Sequence, residues 1–364
     1  MLGDLCDRLV PDWEVEVVAA NRSRQTVRER CNNVAVPRVG AWGTVHSVPL
    51  CPSLPLHLWR GRADCVVLHE PNPIAGTALF VRTPARRLVI WHHSDLLRPT
   101  WAPHTYGHIQ RALYRRADCV IVSSPALAAN SALARCARRL VVIPYGVDVD
   151  AYQRPESIDA DRVRAIRAGR QSPLVLFVGR LVYYKGVEVL CEAMARCPGT
   201  LVIVGTGPLE HTLRDMVDRL GLAERVIFMG EVADDDLIAC YRAADLLVLP
   251  SVARTEAFGI VQIEAMAAGV PVISTNLPTG VPWVNQDGVS GLVVPPGDPH
   301  ALAAAIQRIG GDVDLRRRLG EGARLRAATT FSLERMVASF KDVIETVVRN
   351  PDQLDRWLTP VGTL

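Results

Sequence analysis

The second half of the chain alternates short apolar runs with amphipathic stretches, and this alternation limits the fold more than any other feature. Continuous apolar strands that alternate with helices are typical of a doubly wound parallel sheet, because crossover helices cover both of its faces. The predicted strands lie at 174–178, 200–204, 225–229, 245–249, 270–274 and 291–294, and the predicted helices at 186–196, 208–220, 234–243, 259–268 and 299–308.

The first half shows a less regular pattern of the same kind. It predicts a helix over 2–10 and a parallel sheet of about five strands, at 14–20, 63–68, 87–91, 118–122 and 140–143. Arg, Pro and Gly between residues 21 and 59 predict short strands and long loops. We therefore expect two domains, 1–165 and 166–335, with a linker inside 150–173 and a C-terminal helix, 336–364, that packs back on the first domain.

Composition narrows the class of protein. The 364 residues are 49% hydrophobic, enough for two sizeable cores. The sequence has no apolar run of eighteen residues and does not begin with a cationic segment followed by an apolar one, so we expect a cytoplasmic protein without a membrane span or signal peptide. Nine scattered Cys without a C-x-x-C pattern indicate reduced structural thiols.

Charge is divided unevenly. Residues 1–168 hold 22 Lys and Arg against 15 Asp and Glu, or +7, which leaves 41−22=19 against 38−15=23, or −4, for the remainder. A basic half is consistent with a solvated surface, with peripheral contact to anionic lipid through Arg-rich segments near 111–116 and 135–139, or with a phosphorylated acceptor. Only two residues are lysines, Lys185 and Lys341.

Two cations follow the first predicted strand of the second half. Arg180 and Lys185 lie between that strand and the next helix, and Lys185 is notable because Lys is nearly absent elsewhere. A helix N-terminus flanked by cations binds a diphosphate well. The alternative is that both are solvated surface charges.

Two carboxylates, Glu256 and Glu264, lie eight residues apart after the strand at 245–249. Eight helical residues would separate them by about 12 Å, which exceeds the roughly 5–10 Å of a glycosidase acid and base pair. They more reasonably bind different parts of one ligand.

Three further patterns carry weaker signals. Gly205-x-Gly207 is either a tight strand-to-helix turn or a loop against which a nucleotide lies. Asp234 to Asp236 precede a helix and indicate N-capping rather than metal binding. His69, Glu70 and Asn72 end one strand and His92 and His93 end the next, so they could line an acceptor pocket or form structural turns.

Together these motifs resemble the retaining glycosyltransferases of family four, which have the GT-B fold. The resemblance covers nearly all of residues 140–345, and Gly280 to Val284 and His93-Ser94-Asp95 also resemble bacterial polysaccharide and lipopolysaccharide transferases, several of them mannosyltransferases. It implies an α/β protein of two doubly wound Rossmann-like domains that face each other across a cleft.

The resemblance also implies roles for individual residues. Arg180 and Lys185 would hold and neutralise the donor diphosphate, Glu264 the ribose, and Glu256 with the backbone of Ala257, Phe258 and Gly259 the sugar and phosphate. The loop at Gly205 would lie beside the nucleotide. His93 would contact the donor sugar, with Asp95 positioning it or the acceptor; if the strand continues, His92 points to the other face, so the choice between the two is open.

The resemblance implies transfer of a hexose, with mannose from GDP-mannose favoured, from a nucleotide diphosphate sugar to a glycan or lipid-linked acceptor, without a metal or other cofactor. Family members begin with a strand and a glycine-rich loop, whereas Met1 here falls inside the first helix. Either the start is internal, or the chain lacks those elements and is a nucleotide-sugar binder without turnover. A dinucleotide-dependent oxidoreductase is a third, weaker hypothesis that rests on Gly205-x-Gly207 alone.

Overall fold

The computed structural model describes residues 2–45, 48–95, 102–153 and 160–357. The chain divides into two compact units: the first comprises residues 1–144 and 334–364, and the second residues 145–333. This division falls earlier in the chain than the predicted boundary at 165. Residues 154–159 of the predicted linker and 358–364 of the predicted C-terminal helix lie outside the described residues, as does Met1.

The first unit combines short irregular strands with an α/β core. Its helices are α1 Leu2–Leu9, α2 Leu54–Arg60, α3 Pro73–Val81, α4 Ala102–Arg116 and α5 Pro125–Asn130, and its strands are β1 Ala19–Ala20, β2 Val27–Cys31, β3 Val34–Val39, β4 Thr44–Val45, β5 Val48–Pro49, β6 Ala63–Glu70, β7 Ala85–His92, β8 Cys119–Val122 and β9 Leu140–Val142. A short 3₁₀ helix, Ala134–Cys136, precedes β9.

The core of the first unit is a four-stranded parallel sheet in the order β6-β7-β8-β9. Fully buried Ile90, Val120 and Val122 lie in its hydrophobic core. The predicted fifth strand, 14–20, does not join this sheet: only Ala19 and Ala20 form a strand, and they pair with β3 in a separate three-stranded sheet. The prediction of one five-stranded sheet was therefore wrong by one strand.

The C-terminal segment belongs to the first unit. It comprises α15 Leu333–Arg349 and a 3₁₀ helix, Pro351–Trp357. The ring of Phe340 stacks on Trp91 of β7, with centroids 5.3 Å apart, and Lys341 forms an ion pair with Asp12. Arg139 likewise pairs with Asp352, at 2.6 Å.

The second unit follows the sequence pattern closely. Its helices are α6 Val149–Gln153, α7 Ala160–Arg167, α8 Val187–Met194, α9 Glu210–Arg219, α10 Asp234–Ala243, α11 Ile260–Ala267, α12 Val281–Val284, α13 Pro299–Gly311 and α14 Val313–Thr330, and its strands are β10 Leu174–Val178, β11 Thr200–Val204, β12 Val226–Gly230, β13 Leu246–Leu249, β14 Val272–Thr275 and β15 Gly291–Val294.

These six strands form one parallel sheet in the order β12-β11-β10-β13-β14-β15. Chain order reverses between β10 and β13, and ligands of open parallel sheets bind at the carboxyl ends of the strands beside such a reversal. The predicted doubly wound sheet is confirmed. No helix in the described part of the chain is long and apolar enough to cross a membrane.

Candidate active site

The loops after β10 and β13 meet because their strands are neighbours. Lys185, at the end of a 3₁₀ turn after β10, places its Nζ 2.6 Å from Oε2 of Glu256 in the loop after β13. The two side chains are only 12% and 10% exposed. Two residues far apart in the sequence thus form a shielded ion pair beyond the carboxyl ends of β10 and β13.

Hydrogen bonds hold this pair in place. Ser251 Oγ donates to Glu256 Oε2 at 3.2 Å, and Thr275 Oγ1 donates to the Ser251 carbonyl at 2.6 Å. The Val252 N–H donates to the Tyr184 carbonyl at 2.8 Å. The loops after β10, β13 and β14 are therefore tied together around the carboxylate.

Close backbone approach explains the glycine beside Lys185. Gly186 has φ +66°, and a Cβ there would lie 2.2 Å from the Pro250 carbonyl oxygen. Any side chain would push the two loops apart and lengthen the Lys185–Glu256 contact. Gly186 is therefore required by the geometry of the pair.

Arg180 differs from Lys185. Its side chain is exposed, and it forms neither an ion pair nor a side-chain hydrogen bond with any described residue. Its guanidinium is available to an anion, whereas the Lys185 ammonium already has one carboxylate partner. The structure therefore leaves one uncompensated cation on the loop after β10.

The Gly205-x-Gly207 turn packs against this same loop. A Cβ on Gly205, whose φ is +120°, would lie 2.2 Å from the Gly179 carbonyl oxygen, and one on Gly207 would lie 2.4 Å from that of Leu181. The glycine spacing thus reflects the packing of two strand-to-helix turns, and it accounts for the motif without a dinucleotide.

The N-terminus of α11 begins at Gly259, whose φ of +75° lets the chain turn from the loop into the helix. Phe258 is 2% exposed, and its ring packs against Tyr145, Trp283 and Phe331. Only the backbone of Phe258 can therefore contact a ligand without unpacking this aromatic cluster. The Ala257 carbonyl accepts a hydrogen bond from the Gly280 N–H at 2.8 Å.

Glu264, on α11, has a different environment from Glu256. The hydroxyl of buried Tyr241, on α10, donates to Glu264 Oε2 at 2.5 Å. Burial raises the pKa of Glu264, while the Tyr241 hydrogen bond opposes that shift. One carboxylate is paired with a cation and the other with a phenol, so the two are not equivalent.

At the end of β7, adjacent histidines point to opposite faces. His92 is 1% exposed: the Tyr114 hydroxyl contacts its Nδ1 at 2.7 Å, and Ser131 Oγ contacts its Nε2 at 3.1 Å. His93 is partly exposed, and its Nε2 lies 2.8 Å from Nδ1 of His69. His92 is therefore part of the core, and His93 is the one that a ligand can reach.

Asp95 contacts the His92 side of this strand. Its Oδ1 accepts a hydrogen bond from Ser131 Oγ at 2.6 Å and lies 3.4 Å from His92 Nε2. Because Ser131 donates its hydroxyl hydrogen to Asp95, it accepts from His92, so His92 Nε2 carries a proton. This network anchors Asp95 through His92.

Glu70 and Asn72 have structural partners. Glu70 is fully buried and accepts hydrogen bonds from the Tyr106 hydroxyl at 2.8 Å and the Gln110 amide at 2.7 Å; burial raises its pKa. Asn72 caps α3 by accepting from the Ala75 N–H at 3.1 Å. Both therefore fit the structural-turn hypothesis.

Comparison with known proteins identifies the family. The model for glycosyl transferases group 1 matches residues 161–326, and the model for the glycosyl transferase 4-like domain matches residues 1–146. O-antigen chain mannosyltransferase C of Escherichia coli is 32% identical over 288 residues, which are 79% of this chain and 76% of the relative. The chain is a GT-B glycosyltransferase of the family-four type.

Solved structures agree with this assignment. Sucrose-phosphate synthase from Thermosynechococcus elongatus superposes with a TM-score of 0.79 at 26% identity, covering 96% of this chain and 92% of that one. Anabaena HepE in complex with UDP-glucose gives 0.71 at 25% identity and covers 86% of each chain. The fold of this glycosyltransferase is thus shared along most of its length.

The acidic run Asp234 to Asp236 lies at the start of α10. Asp234 to Asp236 occupy the first turn of α10 after the N-cap residue Ala233, so the prediction that they cap the helix was wrong by one position. Within the described residues, no group of three or more His, Cys, Asp and Glu is arranged to hold a metal ion.

Sequence reasoning missed several residues that shape the site of this glycosyltransferase. Ser251 and Thr275 fix the Glu256 loop, and Tyr241 holds Glu264. Ser251 lies two residues after the end of β13, and a polar residue just after a strand is a usable signal. Tyr241 lies in a helix among apolar residues and gives none.

Proposed function

We propose that this glycosyltransferase moves a hexose, most simply mannose from GDP-mannose, to a glycan or lipid-linked acceptor in polysaccharide or lipopolysaccharide biosynthesis, with retention of anomeric configuration. The shielded Lys185–Glu256 pair at the strand-order reversal is the observation that best supports a sugar diphosphate ligand. The mannosyltransferase relative supports the sugar, and HepE, solved with UDP-glucose, supports the class of donor.

The proposed roles follow the chemistry of each group. Arg180 and Lys185 bind the diphosphate; Glu256, with the backbone at Ala257, Phe258 and Gly259, binds sugar hydroxyls and phosphate; Glu264 binds the ribose. An ammonium has three donors, so Lys185 can keep Glu256 and still donate to phosphate. Gly205 lets the loop after β11 lie beside the nucleotide, His93 contacts the sugar, and Asp95 positions the acceptor.

The proposed reaction breaks the bond between the anomeric carbon and the diphosphate oxygen, which leaves with the electron pair. Cations and a helix N-terminus stabilise this developing charge, and such preorganised electrostatics commonly supply the largest part of catalysis. The acceptor hydroxyl attacks from the same face, and its proton passes to the departing diphosphate. No metal ion or other cofactor takes part in the proposed step.

A thermal-shift screen of GDP-, UDP- and ADP-sugars tests the donor. A ligand at a hundredfold excess over its Kd stabilises the native state by about 2.7 kcal/mol, and we expect the largest shift with GDP-mannose. Absence of a shift with every nucleoside diphosphate sugar would contradict the proposal, and hydride transfer with a nicotinamide dinucleotide would revive the oxidoreductase hypothesis.

Turnover separates the enzyme from a nucleotide-sugar binder. We expect release of nucleoside diphosphate only when an acceptor glycan is present, at an unchanged rate in excess EDTA. NMR of the product should show the anomeric configuration of the donor. Binding without transfer to any glycan or lipid-linked acceptor would instead support the binder.

We also propose peripheral contact with an anionic membrane at the cytoplasmic face. Helices α2, α3 and α4 contain no carboxylate. At the end of α3, Phe80 is 39% and Val81 67% exposed, and Arg116 donates to the Phe80 carbonyl at 3.0 Å. Exposed Arg82 directly follows α3, and exposed Arg115 lies on α4. Apolar side chains with neighbouring arginines fit an anionic bilayer surface.

Co-sedimentation with vesicles tests this contact. We expect retention on mixed phosphatidylglycerol and phosphatidylcholine vesicles, loss of retention on phosphatidylcholine alone, and a several-fold decrease for the double variant Phe80→Ser, Val81→Ser. Leu325→Ser is a matched control, because Leu325 is 66% exposed in the second unit. Equal retention of the double variant and the parent would contradict the proposal.

A further inference from the structure

Three aromatic rings lie on one face at the carboxyl ends of β6 and β7. His69 pairs in register with Trp91, and the His93 N–H donates to the Glu70 carbonyl at 3.0 Å, which continues the pairing. Side chains alternate along a strand, so Trp91 and His93 share a face and His92 takes the other. The parallel register therefore brings His69 beside His93.

The geometry of the two imidazoles is that of a hydrogen-bonded pair. His69 Nδ1 and His93 Nε2 are 2.8 Å apart, with ring planes 15° apart and centroids separated by 5.1 Å. Trp91, which is 1% exposed, lies 5.5 Å from the His69 ring and 5.7 Å from the His93 ring. Phe340 stacks on Trp91 in turn, so the histidines rest against a fixed indole.

This contact couples the protonation of the two rings. Burial lowers the pKa of His69 to about 4; burial, then the neighbouring His69 and His92, lowers that of His93 to about 3. Both rings are therefore neutral near pH 7, and each carries one N–H. The shared hydrogen bond needs one N–H and one lone pair, so the tautomers of the two rings are coupled: when His69 Nδ1 donates, the proton of His93 lies on Nδ1, and when His69 Nδ1 accepts, it lies on Nε2.

We propose that His69 is a positioning residue that fixes the tautomer and ring plane of His93, and so decides whether His93 Nδ1 acts as a hydrogen-bond donor or acceptor. The inference rests on the proposed function insofar as His93 contacts the donor sugar. A sugar hydroxyl can donate or accept, but a fixed tautomer presents only one choice. In many proteins, the hydrogen bond that one imidazole nitrogen makes determines whether the other nitrogen carries the proton.

A purely structural role would need only a flat ring at position 69. Phenylalanine can keep the contact with Trp91 but cannot bond to His93. Asparagine loses the ring but places an amide nitrogen or oxygen near the position of Nδ1. The variants His69→Phe and His69→Asn therefore separate packing from hydrogen bonding.

The test combines ¹⁵N NMR of the imidazole nitrogens with kinetics on the full chain. We expect one tautomer of His93 in the parent and in His69→Asn, and a mixture in His69→Phe. The kcat for glycosyl transfer should fall about 10- to 100-fold in His69→Phe, because this variant loses the contact that positions His93. In His69→Asn, kcat should be at least threefold higher than in His69→Phe. The thermal shift caused by the donor should be unchanged in both.

Two results would overturn the inference: one tautomer of His93 in His69→Phe, or full kcat in that variant. Near-ultraviolet circular dichroism shows whether His69→Phe folds. If it does not fold, His69→Gln and His69→Asn provide the comparison. Equal loss of kcat in both variants, with the tautomer of His93 unchanged, would also contradict the inference. Full activity of His93→Phe would instead refute the proposed contact of His93 with the sugar, while the NMR result would still report what His69 does.

Discussion

Strand β13 has a carboxylate at each end, and the two have opposite surroundings. Asp245, before the strand, accepts hydrogen bonds from Arg167 at 2.9 Å, Ser172 Oγ at 3.1 Å and the Leu174 N–H at 2.7 Å. Glu256, after the strand, has one ammonium and one hydroxyl, both on Oε2, and its Oε1 accepts no hydrogen bond from any described residue.

This difference separates a structural carboxylate from a candidate binding carboxylate. Burial raises the pKa of Asp245, but the Arg167 and Leu174 hydrogen bonds and the charges of Arg167 and Arg316 outweigh it and lower the pKa overall. Both oxygens of Asp245 thus accept hydrogen bonds from the protein, and Asp245 joins α7 to the sheet. Glu256 keeps one oxygen, Oε1, as an acceptor for a ligand, and the Lys185 ammonium keeps donors beyond the one that faces Glu256.

The largest expected effect is that of Lys185→Ala. Loss of the ammonium removes a preorganised donor to the leaving diphosphate, so we expect kcat to fall about 10³-fold, equivalent to about 4 kcal/mol. Steady-state kinetics with the preferred donor measure this. Lys341→Ala is the matched control, because the chain has no third lysine and Lys341, on α15, pairs with Asp12. Near-normal kcat in folded Lys185→Ala would remove Lys185 from the mechanism.

The variant Glu256→Gln tests the role of the Glu256 carboxylate, whose Oε1 accepts no hydrogen bond from any described residue. The glutamine amide keeps an acceptor for Lys185 but loses the negative charge that is proposed to bind the sugar. We therefore expect kcat to fall about 100-fold, while the donor Kd, measured by calorimetry, changes less than about threefold. Glu264→Gln is the contrasting variant, because weaker ribose binding should raise Kd instead. A Kd effect of equal size in both would erase the distinction between the two carboxylates.

Asp245→Asn should affect stability rather than catalysis. We expect the second unit to lose about 2 kcal/mol in urea unfolding at neutral pH, with unchanged kcat per folded molecule. Because the folded pKa is depressed, the Asp245 contribution is complete above the unfolded pKa of about 3.9 and disappears as pH falls through the folded value. The difference between parent and variant should therefore be constant above about pH 5 and shrink below about pH 4. If the free energies of unfolding of parent and variant differed by the same amount at all pH values, the charge of Asp245 would not be the source of its contribution to stability.

Tyr241→Phe gives the smallest expected effect and tests Glu264, the carboxylate whose partner is a phenol. It removes the Tyr241 hydrogen bond to Glu264 Oε2 and leaves the buried ring in place. We expect the donor KM to rise about tenfold, or about 1.4 kcal/mol, through a less well oriented Glu264. An unchanged KM with reduced stability would make Tyr241 a purely structural partner.

Much of the second unit could be predicted from its sequence. Strands at 174–178, 200–204 and 291–294 agree with the prediction residue for residue, because each is a continuous apolar run bounded by turn-forming or polar residues. The stretch 14–20 predicts a strand of the main sheet, yet it pairs with β3 instead, through Ala19, Ala20 and an isolated bridge from Glu16 to Ala35. Local pattern indicates an extended segment but not its partner.

The same limit applies to the site. Arg180, Lys185, Glu256 and Glu264 could be selected as candidates because they follow predicted strands. That Lys185 bonds to Glu256, and that Glu264 bonds to Tyr241, depends on which strands and helices are neighbours. The His69–His93 bond likewise depends on the register of β6 and β7.

The scarcity of lysine has a practical consequence. Both side-chain amines of the chain, at Lys185 and Lys341, are ion-paired and largely shielded, with exposures of 12% and 25%. An amine-directed acylating reagent followed by peptide mass spectrometry would therefore report on just two side chains, one in each unit. Protection of Lys185 by a bound ligand, scaled against Lys341 in the same molecule, would give site occupancy from the unaltered protein.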